Sequence, residues 1–280
     1  MKLKLDGPLV SAEWLNDHLD AKNLIVLNGT IKKVGGNTDT NEQEKQVPNT
    51  IFFDIKKNFS DTSSQFPSTV PSEEQFQEEA RKLGINNDSC IVVYDNLGIY
   101  SSARVWWLFK TFGFENVAVL DGGFPAWKKA GFPIENVVNK SRVKGDFTAN
   151  YHPDNIRFTG DILDIIEHKN ECIIDARSAG RFNATQPEPR ADLKGGHIPT
   201  SLSLPYTDLQ VDGKMKSKEK LEAIFRNRLN EENPIVFSCG SGITACILAL
   251  GATIAGYTNL SVYDGSWTEW ASTPNLPIEI

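Results

Sequence analysis

The sequence predicts an α/β protein of two similar domains in tandem, each a parallel β-sheet flanked by helices. Three observations support this prediction. The chain has 280 residues, which exceeds the common size of one domain. A pattern of strand, loop, helix and strand occurs twice along it. The strands of this pattern, such as IVVY and PIVF, are apolar throughout, as is typical of parallel strands covered on both faces.

The repeat lies in two long segments. The first half contains CIVVYDNLGIYSSARVWWLFKTFGFENVAVLDGGFPAWKKAGFP, and the second half contains PIVFSCGSGITACILALGATIAGYTNLSVYDGSWTEWASTPNLP. In each, the second strand ends in Asp-Gly and a tryptophan follows. The matching residues are Asp121 with Asp264, Gly122 with Gly265, and Trp127 with Trp270. An internal repeat of this kind predicts two copies of one structural unit.

The two copies are joined by a polar segment. Residues from Glu135 to Arg157 are rich in Asn, Lys and Asp and lack helical or strand periodicity, which predicts a linker. We therefore place the domain boundary near residue 150. Residues 1–150 form the predicted N-terminal domain, and residues 151–280 form the predicted C-terminal domain.

The net charge and the hydropathy of the sequence indicate which kinds of molecule the protein binds. The formal net charge is -7 and the pI is about 5.2, so no basic surface for nucleic acid or an anionic membrane is expected. The first residues lack the pattern of a secretory signal, and no run of about 18 apolar residues occurs. We expect a cytoplasmic protein that acts on a small molecule.

The four cysteines predict neither a disulfide framework nor a metal site, because they are scattered and form no CxxC pair. We expect reduced thiols, no metal and no cofactor. Cys90 and Cys172 lie in apolar strand-like runs, and Cys246 lies in a helical one. These three cysteines are expected to serve in packing.

Cys239 stands in a different context. An apolar run from Pro234 to Phe237 is followed by Ser238 and then by C-G-S-G-I-T-A, which begins at Cys239 and leads into a helix-compatible segment. Glycines in such a loop allow successive N–H groups to curl around an anion. These donors and the positive end of the following helix favour a thiolate. Cys239 is therefore a candidate nucleophile, and a buried structural cysteine at a tight turn remains the alternative.

Three segments carry a specific resemblance. The run C-G-S-G-I-T resembles the active-site loop C-G-[ST]-G-V-T of the 3-mercaptopyruvate sulfurtransferases, a branch of the rhodanese superfamily. DARSAGRFNATQPEPRADLKGGHIPTS and IYSSARVWW are also similar to segments of that family. The resemblance spans nearly the whole chain. It implies two tandem rhodanese-like domains, with the nucleophile in the second.

The resemblance also implies a reaction. Cys239 would take sulfane sulfur from 3-mercaptopyruvate, become a persulfide and pass the sulfur to cyanide or to an acceptor thiol, such as that of a thioredoxin-like protein. Pyruvate would be released. Arg181 and Arg190 fall on the two arginines that hold the substrate, and guanidinium groups suit a carboxylate because they bind it with two parallel hydrogen bonds. The residues that would line the substrate site through the loop are Gly240, Gly242, Ile243 and Thr244.

The chain departs from the family pattern at three places. The family has a histidine and an aspartate that relay a proton through the loop serine, here Ser241, whereas Gln46 and Asn37 stand in their places. A neutral amide cannot act as a general base, so Ser241 is expected only to donate a hydrogen bond. In the first half, Asp95 stands opposite Cys239, so the N-terminal domain is expected to be catalytically inactive.

Three other functions compete with this interpretation. A thiosulfate sulfurtransferase of the same fold would use thiosulfate as the sulfur donor, and a catalytically silent rhodanese-like module would only bind. A cysteine phosphatase needs an arginine about six residues after its nucleophile, and Ala245 occupies that place. Histidine is a common catalytic residue, but we expect His197 to brace the turn before the next strand.

Overall fold

The computed structural model describes residues 2–33, 45–138, 142–229 and 233–280. The chain divides into two compact units. Unit 1 comprises Met1–Asp61, Val70–His152 and Asp212–Met215, and unit 2 comprises Thr62–Thr69, Pro153–Val211 and Lys216–Ile280. The main division thus falls between His152 and Pro153, and a short segment of each half is grouped with the other unit. The domain limits 1–150 and 151–280 stay a prediction.

Unit 1 is built on a parallel five-stranded sheet of order β1-β6-β5-β2-β4. A short antiparallel pair, β3 and β7, lies beside it. The strands are β1 (Leu9–Val10), β2 (Leu24–Asn28), β3 (Lys45–Gln46), β4 (Ile51–Phe52), β5 (Cys90–Tyr94), β6 (Val117–Leu120) and β7 (Glu135–Asn136). The helices are α1 (Ala12–His18), α2 (Glu73–Lys82), α3 (Ser102–Thr111) and α4 (Gly123–Lys129).

Unit 2 has a second parallel five-stranded sheet, of order β10-β9-β13-β14-β8. The strands from residue 153 onward are β8 (Ile156–Arg157), β9 (Cys172–Asp175), β10 (Leu202–Ser203), β11 (Gln210–Val211), β12 (Lys214–Met215), β13 (Ile235–Ser238) and β14 (Leu260–Tyr263). Of these, β12 is grouped with unit 1. The helices are α5 (Thr159–His168), α6 (Ala179–Phe182), α7 (Lys218–Arg226), α8 (Ala245–Ile254) and α9 (Ser266–Ser272). The predicted fold class, two parallel-sheet α/β domains, is confirmed.

The repeat in the sequence is a repeat in topology. Reversing the order of the second sheet gives β8-β14-β13-β9-β10, which matches the first sheet strand for strand. The two matched tryptophans also make the same contact: the indole N–H of Trp127 donates to the carbonyl of Pro133 at 2.8 Å, and that of Trp270 donates to the carbonyl of Pro277 at 2.8 Å. Each indole thus fastens the chain segment that follows its helix.

The central strand of unit 2 positions the candidate nucleophile. All residues of β13 are buried, and α8 is buried from Ala245 to Ala252, as expected of a helix that is apolar on every face. Cys239 follows β13 directly, at the carboxyl edge of the sheet. Loops at this edge of parallel α/β sheets are the usual place for ligands.

Among the residues the structure describes, no helix combines the length and the apolar character needed to span a bilayer. Within the same ranges, no group of three or more His, Cys, Asp and Glu side chains is placed to hold a metal ion.

Candidate active site

The loop from Cys239 to Thr244 connects β13 to α8. Gly242 has a φ of 71°, in the left-handed region, so glycine is required there for an unstrained turn. Gly240 makes a close approach: a Cβ atom added to it would lie 3.2 Å from Nη2 of Arg181. The guanidinium group of Arg181 therefore lies against the backbone of the loop. Cys239 itself is 1% exposed.

The backbone N–H groups of this loop fall into two sets. Those of Cys239 and Gly242 donate to Oγ of Ser266, at 3.2 and 3.1 Å. In the described part of the chain, four others have no protein acceptor, those of Gly240, Ser241, Ile243 and Thr244. Ser266 accepts a hydrogen bond from the N–H group of Gly242, so the role of Gly242 in lining the substrate site stays a prediction. The four remaining donors, at the amino end of α8, can stabilise an anion.

Ser266 holds this loop in place and was missed by the sequence analysis. Its hydroxyl donates to the carbonyl of Tyr263 at 2.8 Å and lies 4.0 Å from Sγ of Cys239. A hydroxyl has one proton, which the bond to Tyr263 uses, and two lone pairs, which the two loop N–H groups use. Ser266 has a φ of 49°, and its counterpart in the first half, Gly123, has a φ of 55°. A serine where the other copy of the repeat has glycine was the signal in the sequence.

Arg190 reaches the loop through Thr268. Its Nη1 atom donates to Oγ1 of Thr268 at 3.1 Å. The hydroxyl of Thr268 donates to the carbonyl of Gly240, and its backbone N–H donates to the same oxygen at 2.9 Å. The structure thus brings both sequence-predicted arginines to the same loop as Cys239: Arg181 directly and Arg190 through one hydroxyl.

Arg181 is held by an acidic residue that the sequence analysis also missed. Nη2 of Arg181 is 2.5 Å from Oε2 of Glu188, and Nε lies 3.1 and 3.2 Å from the two carboxylate oxygens. Glu188 also accepts from Nη1 of Arg177 at 2.9 Å. The carboxylate of Glu188 is therefore shared between a fully buried arginine and a half-buried one.

Arg177 anchors this ion-pair network to the sheet. Its guanidinium group binds the carboxylate of Asp175, the last residue of β9, at 2.6 to 3.1 Å, and donates to the carbonyl of Gly196 at 2.8 Å. It also stacks over the ring of Trp267, 4.2 Å from the centroid. In the segment DARSAGRF, Asp175 and Arg177 therefore form a buried support for the third charged residue, Arg181.

The remaining residues singled out in the sequence differ in burial and in hydrogen bonding. Ile243 is buried, and Thr244 is the N-cap residue of α8, without a hydrogen bond from its side chain to the helix. The hydroxyl of Ser241 makes no hydrogen bond to a described residue. Gln46, in unit 1, is buried and donates to Oε1 of Glu135 at 2.9 Å. Asn37 lies outside the described residues.

Comparison with known proteins identifies the family. The model of the rhodanese-like domain matches residues 11–130 and again residues 159–273. The chain belongs to the rhodanese-like family. It is 36% identical over 275 residues to a 3-mercaptopyruvate sulfurtransferase of Escherichia coli K12, covering 96% of this chain and 97% of the relative. It is 37% identical over 272 residues to the thiosulfate sulfurtransferase of Rattus norvegicus, covering 94% of this chain and 91% of the relative.

Solved structures give the same result. The crystal structure of SseA, a 3-mercaptopyruvate sulfurtransferase from Escherichia coli, matches with a TM-score of 0.83 at 34% identity, over 93% of this chain and 99% of that one. Tum1 from Saccharomyces cerevisiae matches with a TM-score of 0.87 at 28% identity, over 98% of both chains. Identity alone does not separate the two donor types, because relatives of both names are equally similar.

The first rhodanese-like unit has an acid at the position of the nucleophile. Asp95 follows β5 as Cys239 follows β13, and it is fully buried. Its Oδ2 atom accepts from the backbone N–H groups of Tyr100, Ser101 and Ser102 at 2.8 to 3.0 Å. A carboxylate thus fills the ring of N–H donors in unit 1.

The remaining cysteines fit the packing roles expected of them. Burial raises the pKa of Cys90 to about 11, and burial also raises the pKa of Cys172. Sγ of Cys246 lies 3.3 Å from the carbonyl of Gly242 and is fully buried. His197 stacks on the ring of Phe182 at 3.8 Å, and its Nδ1 atom lies 3.0 Å from the carbonyl of the same residue. These contacts support the bracing role for His197.

Proposed function

We propose that the protein is a sulfurtransferase that moves sulfane sulfur from 3-mercaptopyruvate to an acceptor thiol or to cyanide through a persulfide on Cys239. One observation carries the proposal: Cys239 begins a loop in which four N–H groups, those of Gly240, Ser241, Ile243 and Thr244, have no acceptor in the described part of the chain, and the guanidinium group of Arg181 packs against Gly240. Relatives named 3-mercaptopyruvate sulfurtransferase at 36% and 37% identity support it.

The reaction has two transfers. In the first, the thiolate of Cys239 attacks the sulfur of mercaptopyruvate, an S–S bond forms, and the S–C bond breaks with its electron pair going to carbon. The resulting enolate takes a proton from water and leaves as pyruvate. In the second, an acceptor thiolate attacks the outer sulfur of the persulfide, and Cys239 is regenerated as a thiolate. The N–H groups of Gly240, Ser241, Ile243 and Thr244 stabilise the negative charge in both steps.

The two arginines hold the substrate in this proposal. Nη1 of Arg181 makes no hydrogen bond to a described residue, since Glu188 takes Nε and Nη2, and this leaves one nitrogen for the carboxylate or keto oxygen of the donor. Arg190 contributes the second contact. A donor held at its carboxylate places its sulfur two carbons away, next to Cys239, and fixed orientation of this kind lowers the barrier.

A proton relay is not part of the proposal. Gln46 is neutral, and its amide group is bound to Glu135, so it supplies no base. The donor thiol loses its proton to water, and Ser241 contributes a hydrogen bond through its unpaired hydroxyl.

We also propose binding partners and a cellular location for the protein. We expect a small-molecule donor and an acceptor thiol, such as that of a thioredoxin-like protein, with no nucleic acid and no membrane. The reducing cytoplasm suits a chain with four free cysteines.

Thiosulfate is the second candidate donor, because the thiosulfate sulfurtransferase of Rattus norvegicus is 37% identical to this chain. Initial rates with mercaptopyruvate and with thiosulfate, measured side by side with a thiol acceptor, separate the two. We expect kcat/KM to favour mercaptopyruvate by about tenfold or more, since Gly240 and Ser241 add no positive charge near the sulfur for a dianion. A preference for thiosulfate would overturn the choice of donor, and no transfer from either would leave a silent binding module.

A further inference from the structure

We propose that Glu188 sets the charge of the substrate site and thereby favours a donor with one negative charge over a donor with two. This inference rests on the proposed function and names the residue that determines its substrate class.

Glu188 lies between two arginines. It is 8% exposed, and both of its carboxylate oxygens bind arginine nitrogens: Oε1 binds Arg177, and Oε2 binds Arg181. Guanidinium groups on both oxygens form charge-assisted hydrogen bonds with a carboxylate. Glu188 therefore places a formal negative charge next to Arg181, which we propose binds the substrate.

Most charged side chains of this network occur in oppositely charged pairs. Arg177 and Arg181 are matched by Asp175 and Glu188, so the formal charges of this network cancel. Asp192 and Lys194, on the same polar loop, are exposed and of opposite sign. Arg190 binds the neutral hydroxyl of Thr268 and has no ion-pair partner in the described part of the chain. Among these side chains, the positive charge of Arg190 is the one without a matching acid.

The two candidate donors differ in charge. Mercaptopyruvate has a single carboxylate, which matches the one uncompensated charge. Thiosulfate is a dianion, so its second charge enters a half-buried site without a cationic partner and loses hydration that the loop N–H groups replace only in part. With Glu188 neutral, the site would carry a second positive charge, and the penalty on the dianion would fall.

Glu188 also orients Arg181, and the two roles are separable. Glu188→Gln removes the charge and keeps the length of the side chain, whereas Glu188→Asp keeps the charge and shortens the reach to Arg181. We expect Glu188→Gln to raise the ratio of kcat/KM for thiosulfate to that for mercaptopyruvate by about tenfold, mainly through a lower KM for thiosulfate. We expect Glu188→Asp to lower both kcat/KM values and to leave their ratio near that of the wild type.

A binding measurement gives the same information without turnover. Sulfate and pyruvate, as a dianion and a monoanion, protect Cys239 from iodoacetamide when they occupy the site. Glu188→Gln should strengthen protection by sulfate relative to pyruvate by about tenfold. The matched control is Glu171→Gln, because Glu171 also pairs with an arginine, Arg157, at 3.0 Å, but precedes β9 at the edge of the sheet opposite Asp175. It should leave both ratios unchanged.

Three results would overturn the inference. They are unchanged ratios of dianion to monoanion in Glu188→Gln, an equal rise of these ratios in Glu188→Asp, or a rise of these ratios in the Glu171→Gln control. If Glu188→Gln does not fold, Ser241→Lys adds the same charge from the loop and must shift both ratios in the same direction. Failure of the proposed function has a different signature, since the wild type would transfer sulfur from neither donor while the order of protection by sulfate and pyruvate still reports the charge of the site.

Discussion

The hydroxyl of Ser266 accepts a hydrogen bond from the backbone N–H of Cys239 at 3.2 Å and lies 4.0 Å from the sulfur of the same residue. One side chain from the start of α9 thus fixes the nucleophile at the end of β13. The same oxygen also accepts from Gly242, so both ends of the tight turn depend on it.

Ser266→Ala should therefore destabilise the loop. The substitution leaves two buried N–H groups without an acceptor, which costs about 1–3 kcal/mol in the free energy of unfolding, and it lets Cys239 move, which should lower kcat more than it changes KM. Urea unfolding and steady-state kinetics measure the two effects. Ser261→Ala is the matched control, because Ser261 is equally buried on β14 but makes one long bond, 3.4 Å, to the carbonyl of Ile235. Equal losses in both variants would refute the assignment.

The arginines should contribute separately to substrate binding. Arg181→Ala and Arg190→Ala should each reduce kcat/KM for mercaptopyruvate by about 2 kcal/mol or more, because each removes charge-assisted bonds. Lysine at either position should restore only part of the loss, since it lacks the planar fork of donors. Arg228→Ala, at an exposed residue of unit 2, serves as the control. Wild-type kinetics in both active-site variants would place the substrate contact elsewhere.

Cysteine reactivity should separate Cys239, which has unpaired N–H donors beside it, from Cys90 and Cys172. Burial raises the pKa of Cys90 to about 11 and also raises the pKa of Cys172, so both thiols have a smaller thiolate fraction near neutral pH than an ordinary cysteine. Iodoacetamide between pH 7 and 9 should modify Cys239 in the native protein and leave Cys90 unmodified, as peptide mass mapping would show. Modification of Cys90 at the rate of Cys239 would contradict this ordering.

Asp95 should matter for stability and not for turnover. Asp95→Ala removes a buried carboxylate that accepts from four backbone N–H groups and from the hydroxyl of Ser102, so the free energy of unfolding should fall by about 3 kcal/mol or more. Asp54→Ala is the comparison variant, because the carboxylate of Asp54 accepts from the backbone N–H groups of Lys56 and Lys57 in an exposed turn. Its free energy of unfolding should fall by about 1 kcal/mol. The folded fraction of Asp95→Ala should retain the kcat of the wild type, since the N-terminal domain is predicted to be inactive. A lower kcat in that folded fraction would contradict the prediction.

The fold was predictable because it depends on patterns along the chain. Apolar runs such as CIVVY and PIVF mark the central strands, and the repeated Asp-Gly and tryptophan predict the matching topology of the two sheets. The roles of Glu188 and Ser266 were not predictable in this way. Glu188 binds arginines 7 and 11 residues away in an irregular loop, and Ser266 bonds to a residue 27 positions away, contacts that no local periodicity encodes.

The sulfur carried by Cys239 is the most direct test of the proposed function. Intact-mass spectrometry of the native protein after addition of mercaptopyruvate, without an acceptor, should show a gain of one sulfur, and peptide mapping should place it on Cys239. Cys239→Ser should show no gain while it keeps the fold, because a hydroxyl is too basic to attack sulfur without a dedicated base. Cys246→Ser, at a buried thiol of α8, should behave as the wild type. Absence of the adduct, or its appearance on Cys246, would contradict the account.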